Sequence, residues 1–367
     1  MKKIKVIISG GGTAGHLYPA LSVGQKLKEK APLLEVIYVG STRKMEKRIM
    51  EKQKSQFIPL KIQGIMGKGW KIFPSLSLLP LAFIKSMMIL LRIQPHLVIG
   101  AGGYSSGPVV LLASSLNIPT LIMEQNLRPG FTNRFLLPWV DKAVVAFKNS
   151  LPYFKGKGVF LGNPVREEFH NISPKKHTPP FILLIFGGSQ GSHFLNKGIT
   201  EALPLLKKED MVIFHQTGEK DCQWVQKKYQ QHRIKATISP YFSPMADYFQ
   251  KSDLIISRAG ATTIAEIIAA QKASVLVPFS EATDNHQLLN ARELEKIEGA
   301  EIIQEEEFTP QLAAGKIRSF INNKHKLRKM ENNLKQLNKR GKAAEQISQL
   351  CFHLMNKKKK NRSKSIG

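Results

Sequence analysis

Residues 10–16 read GGGTAGH and follow directly on KIKVIIS. The β-branched residues of KVII predict a buried strand, and PALSVGQKLKE after the glycines has the spacing of a helix. The glycines therefore predict a tight turn between a strand and a helix. Such a turn exposes backbone N–H groups at a helix N-terminus, where anions bind. The stretch predicts a ligand that carries phosphate.

A dinucleotide is the usual ligand of this glycine pattern, because Gly10, Gly12 and Gly15 satisfy GxGxxG. That interpretation requires an acidic residue at the end of the second strand, where it would bind a ribose. Here the second strand, EVIYVGS, ends in the pair GS at 40–41, so the sequence disfavours a dehydrogenase. His16, just past the glycines, is placed to meet a hydroxyl beside a phosphate, although capping or packing would also explain a single histidine.

Two more glycine-rich turns follow strand-like runs. GAGGYSSGP at 100–108 follows PHLVIG, and GGSQG at 187–191 follows FILLIF. Glycines let the backbone approach a ligand closely, and Ser105 and Ser106 add hydroxyl groups. A plain connection between a strand and a helix would need fewer small residues. Three such turns indicate two phosphorylated ligands in one cleft.

The chain is predicted to fold into two domains of the α/β class. Strand-like runs alternate with helical segments, which predicts doubly wound parallel sheets. The pattern restarts at residue 181, where FILLIFGGSQGSH repeats the plan of KVIISGGGTAGH. A length of 367 residues is also too great for one ordinary core. We expect two sheets that face each other across a cleft, joined by a proline-rich linker at 162–180.

The composition indicates a globular protein that is attracted to anions. The apolar fraction is 42%, and Cys222 and Cys351 are too far apart to suggest a disulfide framework or a metal site. The net charge of +28 favours an anionic membrane surface or a nucleic acid. No RNA-binding signature or aromatic stacking platform accompanies that charge, so no nucleic-acid partner is expected. No signal peptide is expected at the start of the sequence.

One apolar segment, WKIFPSLSLLPLAFIKSMMILLRIQ at 70–94, raises the question of membrane contact. Pro80 and Lys85 divide it, and the part after Pro80 is too short for the hydrocarbon core of a bilayer. It is either a core helix or a surface that touches the bilayer interface. The residues expected at that interface are Trp70, Phe73, Leu76, Lys68 and Lys71.

Two polar stretches in the second half have both a structural and a ligand-binding interpretation. In SRAGATTIAE at 257–266, Thr263 and Glu266 fit a capping box, or Glu266 accepts hydrogen bonds from a ribose diol. In PFSEATDNHQLLNA at 278–291, the run DNHQ either caps a helix or binds a sugar.

Taken together in chain order, these motifs resemble the undecaprenyldiphospho-muramoylpentapeptide β-N-acetylglucosaminyltransferases, the MurG family of glycosyltransferase family 28. The resemblance covers about residues 5 to 300 and runs through GGGTAGHLYPA, GAGGYSSGP, EQN, GNPVR, GGSQG, SRAGATTIAE and DNHQLLNA. It implies the GT-B fold, with two Rossmann-like, doubly wound parallel-sheet domains.

The resemblance also implies a domain plan. Residues 1–163 form an acceptor-binding and membrane-associating domain, and residues 164–340 form the UDP-GlcNAc-binding domain. Residues 341–355 form a helix that returns to the first domain, and residues 356–367 form a disordered basic tail, which would be drawn to anionic lipid.

By this resemblance the protein transfers N-acetylglucosamine from UDP-GlcNAc to the C4 hydroxyl of muramoyl-pentapeptide on undecaprenyl diphosphate. That acceptor is lipid I, the product is lipid II of peptidoglycan synthesis, and the anomeric centre is inverted. The expected location is the cytoplasmic face of the bacterial plasma membrane, as a peripheral protein, with other cell-wall synthesis and division proteins as partners. The alternative is a GT-B enzyme with another lipid acceptor, such as diacylglycerol.

The resemblance transfers ligand roles to individual residues. His16 is the expected general base, because its pKa lies near the working pH, and Glu266 binds the ribose hydroxyls. The residues expected to bind UDP-GlcNAc are Thr13, Ala14, Gly15, Asn126, Arg166, Ser189, Phe242, Ala261, Thr262, Thr263, Ile264, Ala265, Glu266 and Gln287. The residues expected at the acceptor diphosphate are Gly12, His16, Gly103, Tyr104, Ser105 and Ser106.

Three positions depart from the family pattern, and no metal cofactor is expected. Ala14, Ser192 and His286 stand where the family usually has glycine, alanine and glutamine. The backbone at Ala14 must therefore have a φ angle that alanine allows. Metal-dependent transferases hold their cation with Asp-x-Asp, which occurs nowhere in this chain. Arg166 and helix N-termini can stabilise the departing diphosphate instead.

Overall fold

The structure, a computed structural model, describes residues 3–62, 79–338 and 342–364. The chain divides into two compact units, one made of Met1–Arg166 and Lys342–Gly367 and the other of Glu167–Gly341. Each unit contains one sheet in which every paired strand is parallel, so the predicted pair of parallel α/β sheets is confirmed.

The first sheet has seven strands in the order β3-β2-β1-β4-β5-β6-β7. Its strands are β1 Lys5–Ser9, β2 Glu35–Ser41, β3 Gln56–Leu60, β4 Leu97–Gly100, β5 Thr120–Glu124, β6 Lys142–Val145 and β7 Gly158–Phe160. The run KVII is central in this sheet and is covered on both faces, which explains its unbroken apolar pattern. The order changes direction between β1 and β4, and ligands of open α/β sheets bind at such a point.

The helices of the first unit cover both faces of its sheet. They are α1 Ala14–Lys30, α2 Lys44–Lys52, α3 Leu79–Ile93, α4 Ser106–Ser115 and α5 Phe131–Leu136, followed by a 3₁₀ helix at Lys148–Phe154. One core packs α1 against the sheet and includes Ile347, Cys351 and Leu354 from the C-terminal part of the chain. The other core contains buried residues of α3, α4 and α5.

The second sheet has six strands in the order β10-β9-β8-β11-β12-β13. Its strands are β8 Phe181–Phe186, β9 Met211–Gln216, β10 Ala236–Ser239, β11 Leu254–Ser257, β12 Ser274–Leu276 and β13 Glu301–Ile302. Its helices are α6 Glu167–His170, α7 His193–Leu206, α8 Cys222–His232, α9 Met245–Lys251, α10 Ala261–Ala270, α11 His286–Glu295, α12 Pro310–Ile321 and α13 Lys324–Asn338. Short 3₁₀ helices lie at Thr283–Asn285 and Glu305–Glu307.

The C-terminal helix α14, Ala343–Lys364, differs from the expected disordered tail. Residues 356–364 continue the helix, because they are mostly lysine and arginine, which have good helix propensity, and contain no glycine or proline. The prediction of a disordered end from residue 356 was therefore wrong for this stretch; residues 365–367 lie outside the described part. The start of α14 belongs to the first unit, where Lys30 pairs with Glu345 at 3.2 Å.

The boundary between the two units, Arg166 to Glu167, falls inside the stretch 162–180 that was predicted as the linker. Phe169 is fully buried and meets the ring of Phe249 edge-on at 5.0 Å. His177 is also buried, with Nδ1 at 2.8 Å from Asp253 and Nε2 at 3.2 Å from Glu331. The linker is therefore correctly placed, and its second part is anchored by buried partners within the second unit.

His177 makes the free energy of unfolding depend on pH. Hydrogen bonds to Asp253 and Glu331 raise its pKa from the ordinary 6.5 to about 9. Its contribution is therefore complete below pH 6.5 and is lost as the pH rises through 9. We expect the Tm advantage of the wild type over His177→Gln to shrink from pH 6.5 to pH 8, measured by thermal unfolding. Parallel Tm curves for the two proteins would contradict this.

A separate pH dependence, common to both proteins, comes from Lys272. Burial lowers the pKa of this lysine to about 8, so the unfolded chain binds more protons than the folded one above that pH. Stability from this group then rises with pH and opposes the change at His177.

Candidate functional site

The first glycine-rich turn joins β1 to α1 within the first unit. Gly10 donates its N–H to the carbonyl of Val39 at 3.0 Å, and Gly12 has a φ of 93°, which favours glycine. Ala14 is the first residue of the helix, so the expectation that the turn needs no positive φ at this alanine is confirmed. Thr13 is the N-cap residue, and its side chain makes no capping hydrogen bond.

His16 lies in the first turn of α1 and is held by Gln125. Its Nδ1 is 3.1 Å from Oε1 of Gln125, whose Nε2 donates to the carbonyl of Ala101 at 2.9 Å. Because the amide oxygen can only accept, we assign the ring proton to Nδ1, which leaves Nε2 as the basic nitrogen. Gly102 makes this placement possible, since a Cβ there would lie 2.5 Å from Nδ1.

The second glycine-rich turn lies directly against the first. Gly11 donates its N–H to the carbonyl of Gly102 at 3.3 Å, and a Cβ on Gly103 would collide with the carbonyl of Gly11. His16 and the turn at 103–106, all predicted to bind the acceptor diphosphate, therefore occupy one edge of the first sheet.

Two serines follow Tyr104 in that turn and differ in their partners. Ser106 begins α4 and donates its hydroxyl to the carbonyl of Gly103 at 2.8 Å. Ser105 is 2% exposed, and its hydroxyl has no hydrogen-bond partner among the residues that the structure describes. A buried hydroxyl without a partner is costly, so it is suited to a ligand oxygen.

Gly12 differs from its predicted role. Its N–H donates to Oε1 of Glu46 at 2.5 Å, and the same carboxylate accepts from the N–H of Ser41 at 2.8 Å. In this structure a buried side chain accepts the hydrogen bond of this N–H, and contact of Gly12 with the acceptor diphosphate stays a prediction. The sequence motifs do not point to Glu46. In the sequence it is an acidic residue five positions after Ser41, the last residue of β2.

Asn126, expected at the donor, follows the carboxyl end of β5. Its N–H and Nδ2 donate to Oε1 of Glu124 at 3.0 and 3.2 Å. Glu124 is buried, and its other oxygen accepts from the N–H of Gly130 and from Asn133. Glu124 thus fixes the backbone and the side chain of Asn126 by hydrogen bonds. This role was not predicted from the sequence, although Glu124 is the first residue of the recognised motif EQN.

Arg166 ends the first unit, three residues beyond the boundary predicted at 163. Its guanidinium carbon lies 4.5 Å from the centre of the Tyr18 ring, a stacked cation–π arrangement. Tyr18 belongs to the same helix as His16, so the side chain of Arg166 lies beside α1.

In the second unit, the turn at 187–191 presents Ser189 at the carboxyl end of β8. Ser189 is exposed, and Ser192 caps α7 by accepting from the N–H of Leu195 at 3.3 Å. Ser192 also accepts from Nε of Arg258 at 3.1 Å. This buried arginine pairs with Glu305 at 2.5 Å, and although burial opposes ionisation of that glutamate, hydrogen bonds from Ser280 and Arg258 lower its pKa.

Phe242, predicted to offer its backbone to uracil, has one of its two backbone groups already engaged. Its N–H donates to Oε1 of Gln216 at 2.8 Å, and its ring stacks on Tyr248 at 3.8 Å between centroids. Because this N–H is engaged, the predicted backbone contact with uracil would have to come from the Phe242 carbonyl, which can only accept a hydrogen bond.

The segment from Ala261 to Glu266 forms the start of α10. Gly260 is the N-cap, so the predicted capping box of Thr263 and Glu266 is wrong: Thr263 lies inside the helix. Glu266 is 6% exposed. The remaining predicted donor residues Thr262, Ile264 and Ala265 occupy the same first turns, where backbone N–H groups favour an anion.

Gln287 lies at the start of α11, after the carboxyl end of β12. Its Oε1 accepts from the N–H groups of Ala259 and Phe279, both at 3.1 Å. The amide oxygen is thus fixed, and the NH₂ group is the half that can donate to a sugar hydroxyl. His286 donates from Nδ1 to the carbonyl of Thr283 at 2.6 Å.

Two parallel α/β units, each with glycine-rich turns at the carboxyl edge of its sheet, place the protein in the GT-B class of glycosyltransferases. The family model described as glycosyltransferase family 28 N-terminal domain matches residues 6–145, and the corresponding C-terminal domain matches residues 182–347. The chain belongs to glycosyltransferase family 28.

Its relatives include proteins named UDP-N-acetylglucosamine--N-acetylmuramyl-(pentapeptide) pyrophosphoryl-undecaprenol N-acetylglucosamine transferase. The one from Myxococcus xanthus is 38% identical over 358 residues, covering 96% of this chain and 93% of the relative. The one from Desulfotalea psychrophila is 37% identical and covers 97% and 98%. The crystal structure of Acinetobacter baumannii MurG is similar with a TM-score of 0.74 and 30% identity, covering 95% of this chain and 99% of that one.

Proposed function

We propose that the protein is an inverting transferase that moves N-acetylglucosamine from UDP-GlcNAc to the C4 hydroxyl of lipid I, forming lipid II. The observation that carries this function is the similarity over almost the whole chain, 38% identity across 358 residues, to a transferase named for this donor and acceptor. The glycine-rich turns at the carboxyl edges of both sheets supply the anion-binding backbone that two diphosphate-bearing substrates require.

UDP-GlcNAc is proposed to bind the second unit mainly through fixed backbone groups. The start of α10 and Ser189 would hold the diphosphate, and Glu266 would accept hydrogen bonds from the ribose diol. The Phe242 carbonyl would meet the uracil, and the NH₂ group of Gln287 the sugar. Thr13, Ala14, Gly15, Asn126 and Arg166 are the proposed donor contacts from the first unit.

The lipid I diphosphate is proposed to bind the second glycine-rich turn of the first unit. This turn leads into α4, whose first N–H groups and positive dipole end favour an anion. The buried hydroxyl of Ser105, which has no hydrogen-bond partner in the described part of the chain, and the neighbouring Tyr104 support the assignment. The N–H of Gly12 is left out of this proposed site, because it donates to Glu46.

His16 is proposed as the general base. The C4 oxygen of the acceptor sugar attacks C1 of N-acetylglucosamine, the bond from C1 to the diphosphate oxygen breaks, and UDP leaves with the electron pair. The hydroxyl proton passes to Nε2 of His16, the nitrogen that the hydrogen bond to Gln125 leaves basic. Arg166 and the N-terminus of α10 stabilise the charge on UDP, and no metal cofactor is proposed.

The acceptor can be tested with labelled UDP-GlcNAc offered together with lipid I and diacylglycerol. We expect label only in lipid II, because the first unit presents anion-binding turns, and we expect EDTA to leave the rate unchanged. Transfer to diacylglycerol alone would refute the proposed acceptor, and loss of turnover with EDTA would refute metal independence.

Substitution of His16 by alanine tests the proposed base. Removal of a general base typically costs 10²–10⁴-fold in rate. We therefore expect kcat with lipid I to fall by about that factor, while the Kd for UDP, measured by calorimetry, stays within about twofold. An equal loss of UDP affinity would show that His16 positions the donor instead.

A peripheral position at the cytoplasmic face of the plasma membrane is proposed from the surface of α3. Its exposed apolar residues lie at helical spacing and are 57–62% exposed: Leu81, Ile84, Met88 and Leu91. Basic Lys85 and Arg92 lie on the same helix, and the net charge of +28 favours anionic lipid. In the described part of the chain, no helix is long and apolar enough to cross a membrane.

The residues first expected at the bilayer, Trp70, Phe73, Leu76, Lys68 and Lys71, lie outside the described residues. The described part of this segment is α3, which is at once a core helix and an exposed surface. Ala82 and Ile89 are buried, while the opposite face of the helix is exposed.

The double substitution Ile84→Ser and Met88→Ser should weaken binding to vesicles that contain phosphatidylglycerol. Each side chain would bury apolar area in the interface, so we expect a loss of at least about tenfold, or 1.4 kcal/mol. The control is Leu33→Ser, which removes a 73% exposed leucine elsewhere in the first unit. Equal binding of both variants in a sedimentation assay would count against α3 as the contact.

A further inference from the structure

We propose that Glu46 is a positioning residue for the transfer reaction: it holds the first glycine-rich turn in place and thereby sets the position of His16. The inference rests on the proposed function, and Glu46 itself touches neither substrate in this account. It acts through the backbone that leads into α1.

Three hydrogen bonds converge on the Glu46 carboxylate from two separate segments. Oε1 accepts from the N–H of Gly12 and from the hydroxyl of Ser41, both at 2.5 Å, and Oε2 accepts from the N–H of Ser41 at 2.8 Å. Glu46 is fully buried, and Ser41 is the last residue of β2. The carboxylate therefore ties the end of β2 to the turn that follows β1.

The turn is shaped around this carboxylate. A Cβ on Gly40 would lie 2.7 Å from Oε2, and one on Gly11 would lie 2.9 Å from Oε1 and closer still to Oε2. Arg43 closes the other side of the turn, because its guanidinium donates to the carbonyl of Gly12. Gly12 is thus held at both its N–H and its carbonyl, by side chains on either side.

The position of His16 follows from the position of this turn. Gly12 lies four residues before His16, and the adjacent Gly11 donates to Gly102 in the second turn. Gly102 is also the residue whose lack of a side chain admits the imidazole. A shift of the first turn would therefore move His16 relative to both Gln125 and the proposed diphosphate-binding turn.

A purely structural role would not require a buried carboxylate at this position. Burying a carboxylate is unfavourable unless its oxygens are hydrogen-bonded. Here one compensating donor belongs to the turn at the proposed site and two belong to Ser41 at the carboxyl end of β2. The carboxylate also removes the Gly12 N–H from the anion-binding amides. An acceptor diphosphate is then directed to the second turn, where Ser105 lies.

The test compares Glu46→Gln and Glu46→Ala with Glu51→Gln, which changes an exposed glutamate on the same helix. The glutamine keeps the volume but places an NH₂ group against one of the three donors. A displacement of about 1 Å can cost 10²-fold in rate, so we expect kcat with lipid I to fall by about that factor in both Glu46 variants. The activity of the Glu51 variant should stay within about twofold of wild type. The KM for UDP-GlcNAc is expected to rise in the Glu46 variants, because the proposed donor contacts Thr13, Ala14 and Gly15 follow Gly12 in the same turn.

Formate supplies a second readout that a structural defect would not show. In Glu46→Ala it can occupy the vacated position and accept the same hydrogen bonds, so we expect it to restore at least tenfold of the lost kcat. Should the alanine variant not fold, Ser41→Ala removes one of the three donors, and we expect a smaller loss of kcat, about tenfold.

Two outcomes would overturn the inference. One is an unchanged kcat in Glu46→Gln while the wild type makes lipid II. The other is a loss of kcat that matches only a lower fraction of folded protein and that formate does not reverse. Failure of the proposed function would be seen separately, because the wild type and the Glu51 variant would then both fail to transfer sugar to lipid I.

Discussion

Close contact between two backbone turns is the constraint on which the first unit depends. The turn after β1 and the turn after β4 meet at the carboxyl edge of neighbouring strands, with Gly11 bonded to Gly102. Side chains at Gly102 or Gly103 would prevent this approach, since one would displace His16 and the other would strike Gly11. The glycines are therefore required by packing between turns as much as by any ligand, and the contact brings the imidazole beside the proposed anion site.

The turns at these edges are held by side-chain oxygens that lie beneath them. Glu46 holds the turn of Gly12, Glu124 holds Asn126, Gln216 holds Phe242, and Gln287 holds the ends of β11 and β12. Each oxygen satisfies backbone N–H groups that would otherwise stay unpaired in a partly buried place. Loops fixed in this way need little reorganisation when a charged ligand arrives, which is the property that electrostatic catalysis requires.

The sequence was sufficient for the parallel sheets, the glycine-rich turns and the placement of His16 at a helix start, because these depend on local pattern. It missed β3, β7 and β10, which are short and only partly buried. It also missed Gln125 and Glu46 as partners of the first turn. Gln125 is 109 residues from His16 and Glu46 is 34 from Gly12, and no local spacing encodes such pairs. The capping-box prediction was wrong because α10 begins one turn earlier, with Gly260 as its N-cap, so that Thr263 and Glu266 lie inside the helix.

The return of α14 to the first unit affects how the protein can be made. Ile347, Cys351 and Leu354 complete a core whose other members come from residues 6–144, whereas the second unit is one continuous stretch of chain. During translation the second unit can fold as soon as it is synthesised. The first unit stays incomplete, because the core on its α1 side lacks the residues that α14 supplies. At about 5–20 residues per second this wait lasts roughly 10–35 s. Nascent chains would therefore expose apolar core residues of the first unit to chaperones until α14 leaves the ribosome.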